Sequence, residues 1–125
     1  MEHLPRPVAD SLLRECRRVL APSGVMRIAM PDLKSVVPDY VTGNWRHAAW
    51  LNRGDFHADT AAEALNMSFR RWGHEWLYDL EELARYSRAA GFSSVVRVER
   101  GRSEDPVLIG LETRDDLRLV CELRP

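Results

Sequence analysis

The chain predicts an α/β domain of about three strands packed with helices, and three observations carry that prediction. Residues 25–30 form a nearly continuous apolar run, broken only by Arg27 and bounded by a Pro/Gly turn and by Pro31-Asp32. A run that short is expected as a strand buried on both faces. Leu117, Leu119, Cys121 and Leu123 alternate with polar neighbours, the pattern of a further strand. Between and before these strands lie amphipathic stretches with helix start and stop signals, in the order helix, strand, loop, helix, helix, strand, strand.

Each element has a local reason. Pro7 suits the first turn of a helix, where its missing N–H has no intrahelical partner to lose. Val8, Leu12, Leu13, Cys16, Val19 and Leu20 then recur at helical spacing, with Arg14, Arg17 and Arg18 off that stripe. Ala21-Pro22-Ser23-Gly24 reads as the turn into the strand Val25–Met30. Leu33, Val36, Val37 and Tyr40 suggest a short helix that Pro38 bends or ends. Trp45, Trp50 and Phe56 follow without a period, as in a loop or lid held by its aromatics. Thr60 and Glu63 form a capping box for a helix with the stripe Ala61, Leu65, Phe69 and Trp72, closed by Gly73. Asp79 and Glu82 start another, with Leu80, Leu83, Ala84 and Ser87 on one face and Gly91-Phe92 as its C-terminal cap. Ser94–Val98 is strand-like, and Pro106–Leu111 is either a helical turn or a short strand.

Composition narrows the class of protein. The 125 residues fit a single domain spanning the whole chain. With 45% apolar and 30% charged residues, the chain has enough apolar surface for a core, which argues against disorder. A net charge of −1 with intermixed signs gives no nucleic-acid footprint. Lys34 is the only lysine against seventeen arginines, a skew better read as genome composition than as phosphate binding. Cys16 and Cys121 each fall at an apolar position, as buried free thiols do. No signal peptide or membrane span is visible, so no membrane association and a cytoplasmic location are expected.

Several motifs resemble a known family. Glu2-His3-Leu4 is similar to the E-H-hydrophobic motif after strand four of class I, type 11-like, S-adenosylmethionine-dependent methyltransferases. Glu15, Arg18, Val19, Leu20, Pro22 and Gly24 match the pattern E-x-x-R-V-L-x-P-x-G before strand five, with Ser23 replacing a frequent glycine. Asn66, His74, Trp76, Tyr78, Leu83, Gly91 and Phe92 resemble the N…G-H-x-W-x-Y-D…L…A-G-F pattern of one branch, often associated with sugar or cell-envelope modification. The resemblance implies a partial Rossmann-like methyltransferase fold. Val25–Met30, Ser94–Val98 and Leu117–Leu123 would be strands five, six and seven, the seventh inserted antiparallel between the other two. It also implies that the family's cofactor-binding half precedes Met1. The seven glycines contain no G-x-G pair, so the Gly-rich turn that would hold S-adenosylmethionine is not encoded here. This chain alone is expected to bind no cofactor and to be inactive.

The candidate site residues follow from the same alignment of motifs. Glu2 and His3 would lie near the cofactor and acceptor if the missing half is supplied, with His3 a possible general base; as terminal residues they are otherwise expected to fray. Pro31, Asp32, His74, Trp76 and Tyr78 would shape the acceptor side. His74, Trp76 and Tyr78 alternate, so in an extended segment they could share one side; in the plainer reading the two aromatics pack and His74 bonds backbone. Asp55, His57 and Asp59 invite a metal reading, but a solvated turn beside a helix cap explains them better, and no metal site is assigned. No nucleophile motif or phosphate loop is present.

Three functions are thus open. The first is the C-terminal half of a methyltransferase, with a possible complementing N-terminal half. The second is a free-standing, non-catalytic interaction module derived from one. Its strand Val25–Met30 would lack its usual neighbour, and a homodimer continuing the sheet through that edge is expected. The third, a small metal-dependent hydrolase using Asp55–Asp59, has the least support.

Overall fold

Local signals and burial together set the elements seen in the computed structural model, which describes residues 1–48, 51 and 56–125. Helix α1 (Arg6–Val19) starts from Pro5, with a proline in its first turn, and ends with Arg17 and Arg18 near its C-terminus, where cations favour the dipole. Its buried face is Ala9 and Leu13, with Cys16 and Leu20 packed beside them. Val8, Leu12 and Val19 of the expected stripe are instead exposed. The helix carries apolar residues over a wider arc than one contact covers.

Strand β1 (Met26–Met30) leads into helix α2 (Leu33–Thr42), capped by Asp32. Pro38 sits inside α2 without ending it, and Thr42 donates its hydroxyl proton to the Pro38 carbonyl. A 3₁₀ turn, Asn44–His47, follows and buries Trp45 against Ala58 and Ala64. Trp50 and Asp55 lie outside the described residues.

Helix α3 (Ala61–Arg70) takes the predicted cap: the Glu63 N–H donates to Thr60 Oγ1. The Glu63 carboxylate reaches back one residue further than a capping box requires, to the Asp59 N–H. The stripe differs from expectation. Ala64 and Ser68 are buried while Phe69 and Trp72 are substantially exposed, because α3 turns Ala64, with Met67 beside it, to the Trp45 cluster. Helix α4 (Leu80–Ala89) is capped by Asp79 and ends as predicted at Gly91 (φ 99°). There the Phe92 N–H bonds the Ser87 carbonyl and the Gly91 N–H the Arg88 carbonyl, a Schellman pattern. Pro106–Leu108 is the helical turn.

Strands β2 (Ser94–Arg97) and β3 (Leu119–Arg124) complete a three-stranded sheet in the order β1-β3-β2, with β3 antiparallel to both neighbours. The register pairs Ile28 with Cys121 and Val96 with Glu122. β3 starts two residues later than its alternation suggested and is buried along five of its six residues. One sheet face, with Ile28, Met30, Leu119, Cys121 and Leu123, packs under α1 and α4 on Leu13, Leu83 and Tyr78. On the other face Arg27 bonds Glu112 and Glu122, the latter at 2.7 Å, and donates to the Arg102 carbonyl. This network clamps the segment 101–112 over the sheet. Both cysteines are free, and burial pushes the Cys121 thiol up to about 11. Among the described residues the molecule is a mixed α/β fold with four α-helices, and no helix is long and apolar enough to cross a membrane.

Candidate functional site

The C-terminal end of β1 opens onto a small cleft. Pro31 and Asp32 form its floor, Ser35 and Asp39 of α2 one wall, and Ser68, Trp72 and His74 another; Arg114, Asp116 and Arg118 close it from the segment before β3. An isolated parallel bridge between Asp32 and Tyr78, with the Leu33 N–H bonded to the Tyr78 carbonyl, joins the two halves of the wall.

The charged residues that line the cleft are paired. Asp32 is almost fully buried: Oδ1 accepts from the Lys34 N–H at 3.0 Å and Oδ2 meets Arg97 Nη2 at 2.9 Å. Its carboxylate therefore caps α2 and fixes β2 relative to β1. Arg114 grips Asp116 with two bonds, at 3.0 and 2.6 Å, and that bonding raises the arginine further above its ordinary range. Arg118 lies 3.3 Å from Asp39.

His74 reaches the cleft through an unusual turn. Trp72 is the only non-glycine with positive φ among the described residues (60°), and Gly73 follows at 77°. Such a conformation in a bulky residue costs about 1–3 kcal/mol and persists only where packing enforces it. Trp72 packs edge-on to Phe56 with ring centroids 5.2 Å apart. His74 Nδ1 lies 2.7 Å from the Ser68 carbonyl, which can only accept, so Nδ1 carries a proton and Nε2 is the outward nitrogen.

The expected fraying of the N-terminus is not observed. The Glu75 and Trp76 N–H groups both donate to the Glu2 carbonyl, at 2.7 and 3.2 Å, and Met1 packs against the core. This seats Glu2 and His3 beside His74: the two imidazoles lie 4.9 Å apart, edge to face, and His3 Nε2 is 3.5 Å from Glu2 Oε1. Glu2 is buried.

Of the residues singled out from sequence, Pro31, Asp32 and His74 line the cleft, and Glu2 and His3 stand next to it. Trp76 and Tyr78 do not join them. Trp76 is partly exposed under the Arg6 guanidinium, 4.3 Å from its ring centre. Tyr78 is in the core, edge-on to Tyr86, its hydroxyl buried without a hydrogen-bond partner among the described residues; burial is what raises its pKa. The alternation from 74 to 78 does not give one common side because Tyr78 enters the bridge with Asp32. His57 and Asp59 are an exposed pair at 2.8 Å, and Asp55 lies outside the described residues. Sequence reasoning missed Arg97, Arg114, Asp116 and Arg118. The charge-dense run Arg114–Arg118 was the available signal, but nothing local tied it to β1.

Comparison with protein-family models, with curated proteins and with solved structures finds no match for this chain.

Proposed function

We propose that the chain is the C-terminal half of an S-adenosylmethionine-dependent methyltransferase domain, with the cleft at the end of β1 as its acceptor side. The observation that carries this reading is the strand order: β3, last in sequence, lies antiparallel between β1 and β2. That is the arrangement the motif resemblance implies for strands five, seven and six of a Rossmann-like methyltransferase. The cleft at the carboxyl end of β1 supports it further, since open α/β sheets bind ligands outside those ends. So does the exposed apolar strip Val8, Leu12 and Val19 on α1, a surface such a half-domain would bury. In this reading S-adenosylmethionine is bound chiefly by the family's N-terminal half, with Glu2 and His3 beside it. Catalysis rests on placing the acceptor in line with the methyl group.

A second reading draws on the sheet edge. Among the described residues β1 pairs only with β3, leaving its other edge without a strand. A non-catalytic module would use that edge to form a homodimer through residues 25–30.

Calorimetric titration with S-adenosylhomocysteine tests the first reading, using the chain alone and the chain co-produced with the segment encoded immediately upstream. No binding alone and clear binding with that segment are expected. Micromolar binding by the isolated chain overturns the half-domain reading, and failure of the combined protein to bind overturns the methyltransferase reading. Light scattering decides the second: a dimer has twice the 14.4 kDa chain mass, and a single-chain mass sinks it.

A further inference from the structure

We propose that Glu2, His3 and His74 form a divalent transition-metal site that takes Zn²⁺ at the rim of the cleft. The inference does not depend on the methyltransferase reading.

The donor set is two imidazoles and one carboxylate, whose ligand atoms all lie within 4.8 Å of one another. Donors around a tetrahedral zinc with bonds of about 2.1 Å stand roughly 3.4 Å apart. Glu2 Oε1 and His3 Nε2, at 3.5 Å, already have that spacing. The His3 side chain is half exposed, so it has freedom to close the rest.

Three features prepare these residues for a cation. The His74 Nδ1–H is held by the Ser68 carbonyl, the outer-shell bond that fixes a ligating histidine's tautomer and aims Nε2 outward. The strained Trp72-Gly73 turn delivers His74 to this position, and the backbone bonds of Glu75 and Trp76 to the Glu2 carbonyl lock the opposite arm. The Glu2 carboxylate is buried, with the Met1 α-amino group at 3.3 Å and His3 as its close cationic or polar neighbours. Arg114 also feels Glu2, but its guanidinium is bonded on two nitrogens by Asp116. These groups already compensate the buried carboxylate, and a metal ion bound by Glu2 Oε1 would share it with them.

Three protein ligands leave a coordination position open, as in zinc sites that bind water or an oxygen ligand. His74 also lines the cleft, so an oxygen-bearing molecule there would be in reach of that position.

The test is calorimetric titration of the full chain, free of any histidine tag, with zinc chloride, alongside H3A, H74A, E2Q and the control H57A. One Zn²⁺ per chain is expected, with affinity at least about tenfold lower in H3A, H74A and E2Q and unchanged in H57A. H3A alters a half-exposed side chain and keeps the test decisive should H74A fail to fold, which circular dichroism reports. Absence of saturable binding overturns the proposal. So does one-to-one binding that survives H3A, or that H57A removes.

Discussion

Tyr78 shows how one residue can mislead a motif. Its place in a His-x-Trp-x-Tyr pattern suggests a pocket, yet it is fully buried and its hydroxyl meets no partner among the described residues. An unsatisfied buried hydroxyl contributes nothing a phenyl ring lacks and carries a desolvation penalty. Tyr78→Phe is therefore expected to leave stability unchanged or raise it by up to about 1 kcal/mol, read from urea unfolding. A loss of more than about 1 kcal/mol would mean the hydroxyl has a role the packing does not reveal. Asp32 makes the complementary point. It is at the cleft, but both carboxylate oxygens are occupied, so its part there is to hold α2 and β2 in place.

Among the elements, α4 is the one whose sequence signals and tertiary contacts agree throughout. Asp79 accepts from the Glu82 N–H at 2.9 Å, and Leu83 and Ala84 face the core. Asp79→Ala should cost roughly 0.5–2 kcal/mol, the range for losing an N-cap, measured as a shift in the urea midpoint at constant slope. The result carries extra weight because Asp79 adjoins Tyr78, and hence the bridge to Asp32. α2 is the opposite case: none of its residues is fully buried, and it keeps Pro38 in its interior. It is held by its Asp32 cap and by packing on α3 rather than by propensity.

For the whole molecule, the sheet face opposite the helices depends on one charged network. Arg27, Glu112 and Glu122 have side chains at most 6% exposed, so Arg27 must compensate both carboxylates, with Arg124 contributing 3.8 Å from Glu122. The Arg27 hydrogen bond, helped by the Gly101 N–H, holds Glu112 down at about 2 against an ordinary 4.5. A carboxylate with a depressed folded-state pKa stabilises the fold fully above its unfolded value and loses that contribution as pH falls towards the folded one. Here the loss runs from about pH 4.5 to pH 2, and amounts to about 3 kcal/mol. Glu112→Gln should flatten this acid limb while lowering stability at neutral pH, as thermal melts across the pH range would show. An unchanged acid limb in the variant would place the acid sensitivity elsewhere.

Much of this was legible in the chain. The α4 cap and its Schellman end, the Thr60 cap and the presence of strands near 26–30 and 119–124 all rest on local chemistry, in which each residue acts on neighbours a few positions away; the burial of those strands does not, since β1 buries only Ile28 and Met30 and β3 is buried on both faces. Those signals determined the element order and the α/β class. Tertiary structure alone decided which face of each helix is buried, since α1 and α3 each offer more apolar residues than their neighbours cover. It also decided that Glu2, 72 positions from His74 in the sequence, is buried beside it, and that Arg27 interrupts an apolar strand to meet Glu112 and Glu122. Contacts of that kind form between segments remote in sequence, and their stabilisation depends on desolvation and geometry that no local pattern encodes.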